Sequence, residues 1–361
     1  MSLRTMSKTT RKNTFTYGLV IVAFVVLQLL GSQGLLSYSL QGQLVPICAY
    51  VVMALSLNLT VGVLGELSLG HAGFMSVGAF TGVVVASSLQ GAIPSGPIRL
   101  AVAMIIGAIF AGIAGLLVGI PVLRLNGDYL AIVTLAFGEI IKSIINNIYV
   151  GADKNGLHMN LLGGTNALGL ADGAKPILDG PMGASNIPQL SSFVAGFILI
   201  LVTLFIILNL VNSRSGRAIM ALRDNRIAAE SVGINVTKYK LMAFVTSAAL
   251  AGAAGTLYAL GMPVLTANKF DFNTSILVLV FVVLGGLGNM WGSIIAAALL
   301  VVLPELLRQF ADQRMLVYAI VLILVMIATN NPTIKNFFRS TREKVLPKGP
   351  KTPGKEGSNH A

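Results

Sequence analysis

Long apolar runs separated by short polar or glycine-rich stretches set the pattern of this chain. A membrane-crossing helix needs about 20 mostly apolar residues. Runs near that length occur at 16–36, 44–62, 69–89, 98–123, 129–150, 191–211 and 241–262. From 275 to 307 the chain is apolar almost throughout, interrupted only by Gly285-Gly286-Leu287-Gly288-Asn289, and 315–329 closes the series. The first run exceeds a signal-peptide core and 31–43 offers no small-residue cleavage site, so a retained anchor is expected. Between 151 and 190 the Gly, Asn, Asp and Pro content predicts a loop with short helical pieces. The Pro, Lys, Gly and Ser content of 347–361 predicts a disordered tail.

Composition and charge turn this pattern into a topology. Of 361 residues, 55% are hydrophobic and only 11% charged, whereas soluble domains carry about a quarter charged residues. The formal charge is 25 − 13 = +12, yet its placement excludes nucleic acid as the reason. Four basic residues lie in 1–12, six in 212–240 and seven after Pro332, flanking apolar runs as cytoplasmic segments do. With the N-terminus inside, six crossings bring 212–240 to the cytoplasm. Splitting 275–307 at its glycine break gives ten crossings, an internal tail and 18 of 25 Lys and Arg inside. The expected fold is an all-α polytopic membrane protein of about ten transmembrane helices. A broken or re-entrant element at 275–287 is the alternative to a full span there. The domain reading is a basic cytoplasmic N-terminus at 1–15, a transmembrane domain at 16–331 and a basic cytoplasmic tail at 332–361. Within the domain, 151–190 is an external loop and 212–240 a cytoplasmic one. Cys48 is the single cysteine, so no internal disulfide forms.

Few residues can carry chemistry. Gly107, Ala111, Gly115 and Gly119 form one small-residue stripe, and Ala251, Gly255 and Ala259 another, with Ala248 and Gly252 beside it. Such stripes pack helices closely in lipid or mark a moving or subunit-facing surface. Glu139 and Lys142, at i and i+3 on one predicted helix, are spaced to pair, as a structural ion pair or as part of a polar path. Glu66, Ser68 and His71 cluster at the glycine-rich entrance to the third helix. Ser68 and His71 lack a third group and an oxyanion motif, so a hydrolase is not expected. One Cys and three scattered His supply no metal-ligand spacing, and no GxxxxGK[ST] phosphate loop is present. In the 212–240 loop, Asp224 can cap a short helix that ends at Gly233. Ile227, Ala228, Ser231 and Val232 would share one small apolar face. A helix this short is not stable alone. It lies either on the membrane surface with its arginines snorkelling or against a cytoplasmic partner.

At this loop the chain resembles a known family. Gly216-Arg217-Ala218, Arg223-Asp224, Ala228-Ala229-Glu230 and Gly233-Ile234 continue into Lys240-Leu241, Ala243-Phe244 and Ala251-Gly252 with Gly255. Together they resemble the LivM-type permease of high-affinity branched-chain amino acid ABC importers. Further matches are Leu125, Gly127-Asp128-Tyr129, Ala131-Ile132 and Thr134-Leu135, then Gly138-Glu139-Ile140 and Asn146-Asn147. Leu284 to Gly288 and Leu303-Pro304-Glu305 with Arg308 also match. The likeness covers about 45–329. Departures are a split Thr-Gly-Gly-Pro-Asn-Gly element (Asn155-Gly156-Leu157 and Gly163 to Asn166), Thr274-Ser275 in place of Glu-Ser, and Asn331-Pro332-Thr333 near the end.

The resemblance implies a bacterial cytoplasmic-membrane permease working by alternating access, with no cofactor of its own. ATP and Mg would sit on two separate cytoplasmic ATP-binding subunits. A second homologous permease and an extracytoplasmic solute-binding protein would complete the importer within the lipid bilayer. Arg217, Arg223, Asp224, Ala228, Ala229, Glu230 and Gly233 become ATPase-coupling candidates, similar to the EAA loop of ABC importers. Glu66, Ser68, His71, Thr134, Glu139 and Lys142 become translocation-path candidates. A urea-type permease of the same superfamily is the nearest alternative, and a secondary transporter a more remote one.

Overall fold

A computed structural model describes residues 8–34, 37–123, 128–153, 156–161 and 176–307, with isolated positions between 316 and 323. The chain divides into two compact units, Met1–Leu306 and Leu307–Ala361, and every helix and strand between residues 8 and 306 belongs to the first. Most of the predicted last span, the basic tail, and the motif positions 124–127, 155, 163–166 and 308 lie outside the described residues.

The apolar runs fold as helices, and the basic 212–240 loop adds two shorter ones, Arg214–Asp224 and Arg226–Ser231. They are α1 (Lys8–Ser32), α2 (Tyr38–Asn58), α3 (His71–Ser88), α4 (Gly96–Val122), α5 (Asp128–Ile145) and α6 (Phe193–Asn212), then α7 (Arg214–Asp224), α8 (Arg226–Ser231), α9 (Val236–Ala259), α10 (Phe272–Gly285) and α11 (Met290–Leu306). Six helices among the described residues are long and apolar enough to cross a membrane, and three shorter apolar ones, within α1, α10 and α11, accompany them. The break predicted inside 275–307 is present: α10 and α11 pack against each other across a turn with Gly286 at φ 92° and Gly288 at φ 77°, values that favour glycine. Helix starts follow capping chemistry: Ser192, Ser213, Asn225, Asn235 and Asp271 each accept a backbone N–H of the helix that they open.

The expectation of an all-α chain needs correction. The segment read as loop contributes β1 (Tyr149–Asp153), β2 (Gly156–Asn160), β3 (Pro176–Asp179) and β4 (Ala184–Ser185), joined by β5 (Val264–Leu265) in a sheet of order β2-β1-β3-β4-β5. All pairings are antiparallel. These strands are too short and too rich in Gly, Asn and Pro for a period-two signal. The β4–β5 pair also joins residues far apart in sequence, which no local pattern reports.

Packing divides the bundle. α3, α4 and α9 form one tightly packed group, and α2 runs between α9, α6, α10 and α11 with nearly every residue from Cys48 to Leu59 buried. α9, about 36 Å long at 1.5 Å per residue, starts next to α8 and ends shortly before β5 of the sheet. The α7–α8 loop and the sheet therefore occupy opposite ends of the bundle.

Candidate functional site

Two breaks in the helices place polar groups inside the apolar bundle. α2 ends in a π-helical turn, Leu59–Leu64; residues 65–70 then run without helix until α3 begins at His71. The start of α3 is held by neighbours. Leu69 N–H donates to Thr134 Oγ1 at 3.1 Å and Ala72 N–H donates to Ser275 Oγ at 3.1 Å. Thr134 Oγ1 in turn donates to the Ala131 carbonyl at 3.0 Å. His71 is buried and sits 2.8 Å from Ser56 Oγ through Nε2. Ser68 is not its partner: Ser68 is fully buried, and its Oγ has no hydrogen-bond partner.

Beside this start lies a small cavity of about 10 Å³, lined by residues of the 65–70 segment, α3, α5 and the beginning of α10, among them Gly70, Gly138, Glu139, Asp271 and Ser275. That volume suits about one water. Glu139 and Lys142 make the predicted i, i+3 pair at 3.1 Å, but the pair is not buried: their side chains are 46% and 26% exposed. Asp271, the cap of α10, accepts from Thr274 N–H and from Asn273 Nδ2, both at 2.9 Å. Burial pushes its carboxyl up. The Thr274 and Asn273 bonds and the nearby Lys142 charge outweigh that and hold it below the ordinary value. Glu139, Lys142 and Asp271 thus put charge of both signs along the α5 face and the start of α10.

Larger grooves are of another kind. One of about 730 Å³ between α4, α6 and α9 is aliphatic apart from Thr246, whose hydroxyl is spent on the Met242 carbonyl at 2.8 Å. No charged residue lines it.

The other candidates lie at the far end. Glu66 does not join His71; it pairs with the buried Lys240 at the start of α9. Arg223 Nη1 donates to the Gly62 carbonyl at 2.8 Å, and its guanidinium also reaches Asp224 Oδ1 at 3.3 Å. Asp224 ends α7 rather than capping α8; Asn225 is the cap, accepting from Ala228 N–H at 3.0 Å. Gly233 adopts φ 86° as the C-terminal turn requires. Ala229 is buried against Leu222 and Val236 in a small cluster of the loop's own, so it faces the chain. Arg217, Ala228 and Glu230 are exposed, and Ile227 and Val232 are exposed by 81% and 75%.

Sequence patterning does not single out Ser56, Ser275, Asp271 or Lys240 as site residues. Polar residues inside apolar runs are the signal that could have flagged the two serines. The Glu66–Lys240 partnership, 174 residues apart, has none.

A family model described as a branched-chain amino acid transport system permease component matches residues 39–329. The chain is similar to the high-affinity branched-chain amino acid transport system permease proteins LivM of Salmonella typhimurium and Escherichia coli, 36% and 37% identical over 286 residues. These alignments cover 77% of this chain and 66% of each relative, so the chain spans just under two thirds of their length. A probable LivM of Methanocaldococcus jannaschii is 27% identical, with 72% of this chain and 78% of the relative covered. No solved structure matches.

Proposed function

Because the chain belongs to the family of branched-chain amino acid transport permease components, we propose that it is the membrane-spanning subunit of an ABC importer for branched-chain or related hydrophobic amino acids. The observation that carries this reading is the charged face of α5 and the start of α10. A charged side chain at mid-membrane costs about 3 kcal/mol or more against hydrocarbon, yet Glu139 is nearly half exposed. Such a face belongs against water or a second permease, and two permeases meeting there would enclose a path lined by both signs of charge. A zwitterion with an apolar side chain needs that lining: carboxylates for its ammonium, Lys142 for its carboxylate.

At the other end, Ile227 of α8 and Val232 just past its end are exposed to water. Exposed large apolar groups on and just past a short helix, backed by a small core of their own, support docking of one of the two cytoplasmic ATP-binding subunits that carry ATP and Mg, the other meeting the second permease. The rest of the proposal is a ten-crossing topology with both termini cytoplasmic in a bacterial cytoplasmic membrane, and a solute-binding protein on the sheet side. The relatives carry branched-chain names and lend no support to a urea-type permease or a secondary transporter.

Co-purification tests the assembly. A tagged chain expressed with its genomic neighbours should retain a second permease and two ATPases, and ATP should drive leucine uptake into vesicles holding the complex. A chain that purifies alone and transports without ATP would refute the proposal.

A further inference from the structure

The segment 65–70 is tied at both ends. At its entry, Arg223 donates to the Gly62 carbonyl at 2.8 Å, and the Arg223 stem occupies the space that a side chain at Gly65 would need. Gly65 itself adopts φ 82°. The next residue, Glu66, is paired with Lys240, their side chains 13% and 7% exposed. At its exit, Leu69 and Ala72 are bound to Thr134 of α5 and Ser275 of α10, the helices that line the charged face. The α10–α11 turn is fastened to the same entry: Asn58 Oδ1 accepts from Gly288 N–H and Asn58 Nδ2 donates to Ser293 Oγ, both at 2.8 Å.

We infer that Glu66 and Lys240 are the positioning residues that couple the α7–α8 loop to the path, with segment 65–70 as the strap between them. Six residues reach at most about 20 Å when extended, so a strap bound at both ends has little slack. A shift of α7–α9 must either drag Glu66 along or leave two shielded charges unpaired, and the second is strongly unfavourable. The strap therefore follows, and its far end moves the start of α3 against Gly138 and Ser275, where the cavity lies. Both side chains are too enclosed to act by touching an ATPase.

This rests on the docking reading of α8, and the test separates the two. In proteoliposomes holding the whole importer, ATP hydrolysis and leucine uptake are measured together. E66Q/K240M, which removes both charges, should hydrolyse ATP near the wild-type rate while uptake falls about tenfold or more, the size of a typical coupling term. The reversed pair E66K/K240E should regain most of the uptake, which a role in packing alone would not produce. A spin label on Leu67→Cys in a Cys48→Ser background, otherwise native, should change mobility when nucleotide is trapped on the ATPases. Wild-type uptake by E66Q/K240M, or a Leu67 label indifferent to nucleotide, overturns the inference. Retention of the ATPases by V232D would overturn the docking reading instead, whatever the Glu66 variants do.

Discussion

The α3–α4–α9 group and the α5–α10 face lie in one bundle but are built on opposite terms. In the first, helices touch backbone to backbone. Gly78 lies on Gly252, Gly255 on the Met75 carbonyl, and Gly107 and Gly82 on Thr256, whose hydroxyl donates to the Gly78 carbonyl at 2.8 Å. Within α3, α4 and α9 the described ionisable groups keep to the helix ends: His71 opens α3, Arg99 lies in the first turn of α4, and Lys238, Tyr239 and Lys240 fall within the first five residues of α9 and Tyr258 in its last turn. In the second, helices are interrupted, contacts pass through single hydroxyls, and an ion pair stands half exposed. Lipid gives helices little hydrophobic reason to associate, so close packing of small residues must supply the rigidity. The looser region is then free to hold polar groups and to move.

The contrast breaks most severely at Gly255. Any side chain there collides with the Met75 carbonyl, and leucine should cost upwards of about 3 kcal/mol. Gly255→Leu is expected to give no folded protein on fluorescence size-exclusion from membranes. The next effect lies outside both regions. Val232→Asp should leave melting within about 0.5 kcal/mol of wild type while ATPase recovery and uptake collapse in parallel assays. At Glu139→Gln the expected effects diverge: a pair this exposed contributes under about 1 kcal/mol, so thermal stability should hardly move while leucine uptake drops severalfold. Had the pair been buried, the stability loss would have been several times larger. Smallest of all, Gly138→Ala adds a methyl at ordinary contact distance from Gly70, 3.5 Å. It should shift melting by no more than about 0.5 kcal/mol, whereas the same change at Gly70 meets the Thr134 backbone and should not be tolerated.

This division also explains what the sequence could reveal. The small-residue stripes of α4 and α9 are periodic and local, so spacing makes them legible, as it does the glycine break before α11 and the helix-ending Gly233, but their inward packing on neighbouring helices is shown only by the folded bundle. The charged face is half legible: the Glu139–Lys142 spacing gives the pair but not its exposure, because exposure depends on which neighbours cover α5. Asn225 rather than Asp224 caps α8 because α7 extends through Asp224, and adjacent capping residues carry no signal of which one wins. Ala229 turns inward because Leu222 and Val236 on flanking helices close over it. Segment 65–70 was legible only as a glycine-rich entrance. Its partners Lys240, Arg223, Thr134 and Ser275 come from four other elements, and such convergence is a property of the folded bundle.

In the proposed importer, an ATPase docked at α8 drives amino acid passage along the α5–α10 face. The most direct measurement of this is radiolabelled leucine uptake into proteoliposomes holding the full importer, compared between wild type and Val232→Asp at equal permease content. ATP-dependent uptake in the wild type that vanishes together with ATPase binding in Val232→Asp is the result expected. Equal uptake by both proteins, with or without ATP, would contradict it.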